Sequence, residues 1–150
     1  MKLFLDTSAL IKLYHKERDS EIVEAVLLQQ QVTHIFLSEL TKIEFASAIW
    51  KKASTKEINT SQAKAIIDLF KSDFDNYNFI PISDDIISHS LALIELYGHA
   101  GLRTLDSIQF ASFCVIKVNE KIDRFLIFDN RLNELVNYHV NITDEALFGE

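Results

Sequence analysis

The sequence predicts an α/β fold with a mainly parallel central sheet. Short apolar segments that suit buried strands alternate along the chain with longer segments in which apolar residues recur at helical spacing. Several of the apolar segments end at a Ser or Asp that is suited to begin a helix. The chain has 150 residues, of which 48% are hydrophobic, so we expect a single domain over residues 1–150 with a substantial core.

The N-terminal half is expected to hold two strands and four helices. Residues 2–5 form a buried strand, and Asp6, Thr7 and Ser8 make the turn into a helix over residues 9–14. A helix over residues 20–30 and a strand over residues 33–37 follow. Ser38 is the expected N-cap of a helix that runs to residue 52, and residues 60–75 form an amphipathic helix.

The C-terminal half continues the alternation. A strand over residues 79–82 tolerates a sheet edge because it contains Pro81. A helix over residues 84–97 ends near Gly98, and Thr104 is the expected N-cap of a helix that reaches residue 119. Residues 124–128 form a strand, Asp129 opens a short helix, and residues 138–140 are expected to form a last strand.

Charge and cysteine content narrow the class of protein. The net charge of -7 argues against a general basic surface for nucleic acid, but it suits a nuclease whose acids hold divalent cations, or a basic partner. The one cysteine, Cys114, lies in an apolar run and is expected to be buried. Neither a secretory leader nor a bilayer-spanning segment is evident, so we expect no membrane association and a cytoplasmic protein.

Four acids stand out by their places in this pattern. Asp6 and Asp129 each fall between a strand and a helix, and open α/β sheets usually carry their chemistry beyond the carboxyl ends of the strands. Glu44 lies on or beside the core-facing stripe of its helix, where an unpaired carboxylate is costly. Asp106 lies in the first turn of its helix. Capping or the helix dipole would explain each aspartate taken alone.

The four acids belong to short motifs that follow one another along nearly the whole chain: LDTSAL at 5–10, SELTKIE at 38–44, LDSIQFA at 105–111 and FDNRL at 128–132. This series resembles the acidic motifs of PIN domains, particularly the VapC-type toxins of toxin–antitoxin pairs. Ile127 stands where that family often has Thr or Ser. The resemblance implies a PIN-like α/β/α sandwich, an endoribonuclease activity, a cognate antitoxin protein that covers the cleft, and a homodimer.

The chemistry of the acids agrees with that resemblance. Hydrolysis of an RNA phosphodiester needs an activated water and a stabilised leaving oxygen, and one or two Mg²⁺ or Mn²⁺ ions supply both. Such ions prefer oxygen ligands, and they remove the repulsion among converging carboxylates. We therefore expect a Mg²⁺ (or Mn²⁺) site that is formed by Asp6, Glu44, Asp106 and Asp129.

Three further residues are candidates for substrate or supporting contacts. Ser8 lies at the same turn as Asp6 and is suited either to bind a ligand water or simply to cap the helix. Arg103 and Arg131 lie close in the sequence to two of the acids and are candidates to reach phosphate. The dispersed histidines and the three glycines give neither zinc-ligand spacing nor a phosphate loop.

Two other functions compete with the nuclease as interpretations of the sequence. One is a catalytically silent PIN-like module whose acidic cleft binds a basic protein or RNA partner, and the complete set of acids argues against it. The other is a receiver-type signalling domain, which places paired acids after its first strand and a lysine after its last one. The residues around Asp6 and Asp129 do not match that pattern.

Overall fold

The computed structural model describes residues 1–29 and 31–148, and within this part of the chain strands and helices alternate. The strands are β1 (Lys2–Leu5), β2 (His34–Ser38), β3 (Asn78–Ile80) and β4 (Arg124–Leu126). The helices are α1 (Thr7–Tyr14), α2 (Ser20–Gln29), α3 (Thr41–Ser54), α4 (Thr60–Ser72), α5 (Asp84–Tyr97), α6 (Thr104–Glu120) and α7 (Asn130–Phe148). Short 3₁₀ helices span Phe74–Asn76 and Gly98–Ala100.

The strands form one parallel sheet in the order β3-β2-β1-β4. Strand β1 lies inside the sheet, where Leu3 pairs with Ile35 on one side and with Arg124 on the other. Helices cover both faces, as parallel sheets require. The predicted α/β fold with a parallel central sheet is therefore confirmed.

The two faces of β1 belong to two hydrophobic clusters, because successive side chains of a strand point to opposite faces. Leu3 and Leu5 join the first cluster, which includes Phe45 of α3 and Phe70 of α4. Phe4 joins the second cluster with Phe110 of α6 and further residues of α5 and α7. Leu3, Phe4 and Leu5 are all fully buried. The sheet is thus the middle layer of an α/β/α sandwich.

The predicted strand over residues 138–140 is wrong, because α7 continues through these residues to Phe148. Leu132, Val136 and Val140 recur every four residues and all pack in the second cluster, which gives the segment a helical period. His139 is held on the same helix by a 2.8 Å hydrogen bond between its Nδ1 and the Tyr97 hydroxyl. The helix that Asp129 opens is consequently long rather than short.

Two predicted N-caps are also wrong. Ser38 is the last residue of β2, where it pairs with Ile80, and its Oγ accepts a hydrogen bond from the Leu40 N–H before α3 begins at Thr41. Thr104 is the first residue of α6, so the residue before it occupies the cap position. Helix α3 therefore begins two residues later than a cap at Ser38 predicts, and α6 begins one residue earlier than a cap at Thr104 predicts.

Other boundaries differ by a few residues. Strand β3 ends before Pro81, β4 ends at Leu126 rather than at residue 128, and α4 ends at Ser72. The predicted end of the second helix at Gln30 lies outside the described residues. Cys114 is only partly buried, on the side of α6 that packs against the second cluster. In the described ranges, no helix is long and apolar enough to cross a membrane.

Candidate active site

The carboxyl ends of β1, β2 and β4 meet at one edge of the sheet, because the strands are parallel and adjacent. Asp6 follows β1 directly, and its backbone N–H donates to the Leu126 carbonyl at the end of β4 (3.2 Å). The loops and helices that leave this edge carry all the candidate acids. The fold therefore gathers residues that are far apart in the sequence.

Asp6 is the most buried of the four acids, with 6% of its surface exposed. Its Oδ1 accepts hydrogen bonds from the Ala9 N–H (3.0 Å) and the Ser8 hydroxyl (2.6 Å), so the carboxylate also caps α1. The Ser8 Oγ in turn accepts from the Phe128 N–H (3.2 Å). Ser8 thus joins the Asp6 carboxylate to the loop that carries Asp129.

Burial raises the pKa of Asp6 from 3.8 to about 6. The hydrogen bonds from Ser8 and Ala9 lower this pKa, while the charges of Glu44 and Asp106 raise it. Burial is the largest of these effects, and it outweighs the two donors. A positive charge near the carboxylate would reverse the shift.

Glu44 lies in the first turn of α3 and is partly buried. Its Oε1 accepts hydrogen bonds from the Gln109 Nε2 (2.8 Å) and the Thr7 hydroxyl (3.0 Å). Burial raises the pKa of Glu44, the two donors lower it, and the charge of Asp106 raises it. The net shift is upward, because burial and the Asp106 charge outweigh the two donors.

Asp106 and Asp129 face a cleft with a volume of about 460 Å³. Burial raises the pKa of Asp106, and the nearby Asp129 carboxylate raises it further, whereas Arg103 and Arg131 lower it. Asp129 is exposed, and its Oδ1 caps α7 by accepting from the Leu132 N–H (2.8 Å). The residues that line the cleft are Gly101, Leu102, Arg103, Asp106, Asp129, Asn130, Arg131, Leu132 and Leu135.

The four acids form a series rather than a compact group. The charges of Glu44 and Asp106 both raise the pKa of Asp6, and the charge of Asp129 raises the pKa of Asp106. Only Asp106 and Asp129 line the cleft, while Asp6 and Glu44 lie outside its lining. Among the residues whose side chains the structure describes, no three His, Cys, Asp or Glu lie close enough to hold a metal between them.

The donor set nevertheless fits a hard divalent cation. All four side chains are carboxylates, and Mg²⁺ typically takes only one or two protein carboxylates and keeps several waters. A preformed group of three ligands is therefore not required. The upward shifts at Asp6, Glu44 and Asp106 mark a place where a cation would relieve unfavourable negative charge.

Sequence reasoning missed three residues beside the acids: Thr7, Thr41 and Gln109. The Gln109 Nε2 lies within hydrogen-bonding distance of both threonine hydroxyls as well as Glu44. Thr41 and Gln109 are buried, at 0% and 3% exposed. Gln109 falls three residues after Asp106, one helical turn along α6, and this spacing was the available signal.

A family model for the PIN domain matches residues 3–137. The chain belongs to the PIN domain family. The match covers all the candidate acids, and the resemblance that the motifs carried is confirmed. Family membership supports a nuclease in general, and PIN domains generally use divalent metal ions. No curated protein sequence matches the chain.

Solved structures with the same fold come from toxin–antitoxin pairs. The PIN domain is similar to VapC20 of Mycobacterium tuberculosis, a sarcin-ricin loop cleaving toxin, with TM-score 0.65, 14% identity, and 88% of this chain and 93% of that chain covered. VapBC2 from Rickettsia felis, bound to a DNA fragment from its promoter, gives TM-score 0.59 and 17% identity, with 90% of this chain and 93% of that chain covered. A toxin–antitoxin complex from Klebsiella pneumoniae gives TM-score 0.56 and 20% identity, with 81% of this chain and 82% of that chain covered.

Proposed function

We propose that this PIN domain, as a single domain over residues 1–150, is an endoribonuclease that hydrolyses RNA with Mg²⁺ or Mn²⁺. The ion or ions would be held by Asp6, Glu44, Asp106 and Asp129. The observation that carries the proposal is the series of four carboxylates near the carboxyl edge of the sheet. Burial, and after it the charge of neighbouring carboxylates, raises the pKa values of Asp6, Glu44 and Asp106. Carboxylates kept together against their own repulsion are typical of a cation site.

The chain's own residues supply binding and orientation in this reaction. Asp6 is fixed by Ser8 and by the start of α1, so its carboxylate needs little reorganisation to hold a cation. Arg103 and Arg131 line the cleft beside the outer acids, where guanidinium groups suit phosphate oxygens. A divalent ion, when bound, supplies the activation of water and the stabilisation of the leaving oxygen.

We further propose that the protein is the toxin of a toxin–antitoxin pair. Its fold is shared with proteins from such pairs in three bacteria, over at least 81% of this chain. The corresponding partners are an RNA substrate and a cognate antitoxin protein, and the corresponding place of action is the cytoplasm, where RNA is available. The proposed assembly is a homodimer, which light scattering of the purified protein would test.

Cleavage of a mixed RNA pool tests the nuclease directly. The purified wild type is incubated with RNA and Mg²⁺ or Mn²⁺, and separately with RNA and EDTA. The variants Asp106→Asn and Glu95→Gln are incubated with the same RNA and ions. Glu95 is an exposed acid of α5 outside the cleft, so its variant controls for the loss of a charge. We expect cutting that EDTA and Asp106→Asn abolish and that Glu95→Gln retains. Folded protein that cuts no RNA with either ion would refute the proposal.

The second candidate is the silent binding module, and one observation favours it. In the described part of the chain the acids do not form a group of three that could hold a metal. A module of this kind would bind a basic protein or RNA through the acidic cleft without cutting. Retained binding of a basic antitoxin, together with absent cleavage and absent Mn²⁺ binding, would select this function.

A further inference from the structure

Gln109 occupies a buried position among the elements that carry three of the acids. It lies on α6 one turn after Asp106, and only 3% of its surface is exposed. Its Nε2 is 2.8 Å from the Glu44 Oε1, 2.9 Å from the Thr41 Oγ1 and 3.2 Å from the Thr7 Oγ1. Thr7 follows Asp6 at the start of α1. One amide thus connects α1, α3 and α6.

The orientation of this amide is fixed by what surrounds its nitrogen. The Nε2 has two hydrogens, and the shortest contacts give one to Glu44 and one to Thr41. Turning the amide over would put its oxygen against the Glu44 carboxylate, where two acceptors would face each other. The observed orientation leaves the Gln109 Oε1 buried without a hydrogen-bond partner among the described residues.

An unpartnered buried acceptor is unfavourable, because it loses its hydrogen bonds to water and gains none in the protein. A methionine or leucine at this place would fill the same space without that penalty. The chain keeps an amide whose NH₂ group contacts a partly buried carboxylate, and local rules of packing are commonly broken in this way at functional sites. The position is therefore better explained by the carboxylate than by the stability of the core.

We propose that Gln109 is a positioning residue that holds the Glu44 carboxylate for the metal, an inference that rests on the proposed function. The Gln109 amide and the Thr7 hydroxyl both donate to the Glu44 Oε1, which restricts the rotation of the carboxylate. Partners of this kind orient metal ligands, and their loss typically weakens metal binding by 10- to 100-fold. Gln109 itself makes no contact with substrate in this account.

Binding of Mn²⁺ to the full-length, chelator-treated protein tests this role by calorimetry, beside urea unfolding in EDTA. The test variant is Gln109→Met, which keeps the volume and removes the donor. The control is Ser112→Ala, one turn further along α6, because Ser112 is fully buried and its hydroxyl donates to the Ile108 carbonyl of its own helix. Glu44→Gln and the double variant Glu44→Gln/Gln109→Met complete a cycle.

We expect Gln109→Met to unfold at nearly the wild-type urea concentration and to bind Mn²⁺ about tenfold more weakly or worse. Ser112→Ala should bind like wild type. The Gln109→Met change should add little further loss to Glu44→Gln, because both act on one carboxylate. If Gln109→Met fails to fold, Thr41→Val, which removes a hydroxyl contact of the same amide, must show the weakened binding instead.

Two results would overturn this role, and they differ in what else they overturn. If the wild type binds Mn²⁺ and folded Gln109→Met binds it with the same affinity, the positioning role is refuted and the nuclease is not. The same conclusion follows if the losses of the two single variants add fully in the double variant. Absence of Mn²⁺ binding and of RNA cleavage in the wild type refutes both. A purely structural role would lower the urea midpoint without changing the affinity of the folded fraction.

Discussion

Gly101 lines the cleft and has a backbone conformation that favours glycine. Its φ of +94° lies in the left-handed region that side chains disfavour, and a Cβ at this place would collide with the Arg131 guanidinium. The Arg131 side chain therefore extends across the bare backbone of Gly101, in the wall of the cleft. The absence of a side chain at residue 101 is what admits the arginine to this position.

Replacement of Gly101 by Ala tests this arrangement. We expect the free energy of unfolding to fall by about 1–2 kcal/mol from the strained φ, and RNA binding to weaken as Arg131 is displaced. Gly98→Ala is the matched control, because the nearest atom to its Cβ would be Ile94 Cγ2 at 3.6 Å, an ordinary contact. Thermal unfolding and RNA titration measure both effects. Equal stabilities of the two variants would contradict the explanation.

At the level of single residues, the places of the acids in the fold were predictable, and the contacts of their neighbours were not. Asp6 and Asp129 follow strands, and that placement is legible in the sequence. The contact between Gln109 and Glu44 joins residues 65 positions apart, which no local pattern encodes. The sequence allows Ser8 either to bind a ligand water or to cap the helix, and in the structure its hydroxyl donates to the Asp6 carboxylate. Long-range packing decides the contact of Gln109, whereas the bond between Ser8 and Asp6 is local and spans two residues.

Between elements, a buried lysine links α1 to α3. The Lys12 side chain is 9% exposed, and its Nζ contacts the Glu17 Oε1 at 3.0 Å and the Arg18 carbonyl at 2.7 Å. Lys52 of α3 contacts the other oxygen of Glu17 at 2.7 Å. Burial raises the pKa of Glu17, but the hydrogen bonds from Lys52 and Lys12 outweigh it, so the pKa is lowered below 4.5.

We expect Glu17→Gln to reduce the free energy of unfolding at neutral pH by about 1–3 kcal/mol, because the Lys12 ammonium would lose its charged partner. Since the pKa of Glu17 is lowered on folding, its contribution is present above the unfolded value of 4.5 and is lost as pH falls through the folded value. Urea unfolding against pH would show this. Glu39→Gln, from a more exposed pair with Lys42, is the control and should change the stability less. A wild-type midpoint in Glu17→Gln would count against this link.

The elements themselves were predicted more reliably than their ends. The strands and α-helices of the described residues were all expected in the correct order, because the spacing of apolar residues follows the buried face of each element. The two 3₁₀ helices were not expected. The error at residues 138–140 arose because alternating Tyr138, His139 and Val140 suit a strand, whereas the spacing of Leu132, Val136 and Val140 over a longer window is helical. The sheet order was not predictable, since strand pairing is set by contacts between distant segments.

In the whole molecule, the acidic site opposes folding when it is empty and charged. The pKa of Asp6 rises from 3.8 to about 6 on folding. Its contribution to stability is therefore fully present below 3.8 and is lost as pH rises through about 6. The raised pKa values of Glu44 and Asp106 act in the same direction. A bound cation would reverse the balance, because it favours the ionised carboxylates.

This balance predicts opposite effects of pH with and without metal. In EDTA, we expect the Asp6 carboxyl to make the wild type on the order of 1 kcal/mol less stable at about pH 7.5 than at about pH 5. Saturating Mn²⁺ at the higher pH should stabilise the wild type, by about 2.7 kcal/mol at a concentration of 100 times the Kd. Asp6→Asn keeps a good helix cap but has no charge to lose or to offer, so both responses should shrink in this variant. Thermal unfolding at the two pH values, with and without Mn²⁺, measures all four states. Identical pH profiles for the two proteins in EDTA would show that the buried Asp6 carboxylate does not cause the loss of stability at the higher pH.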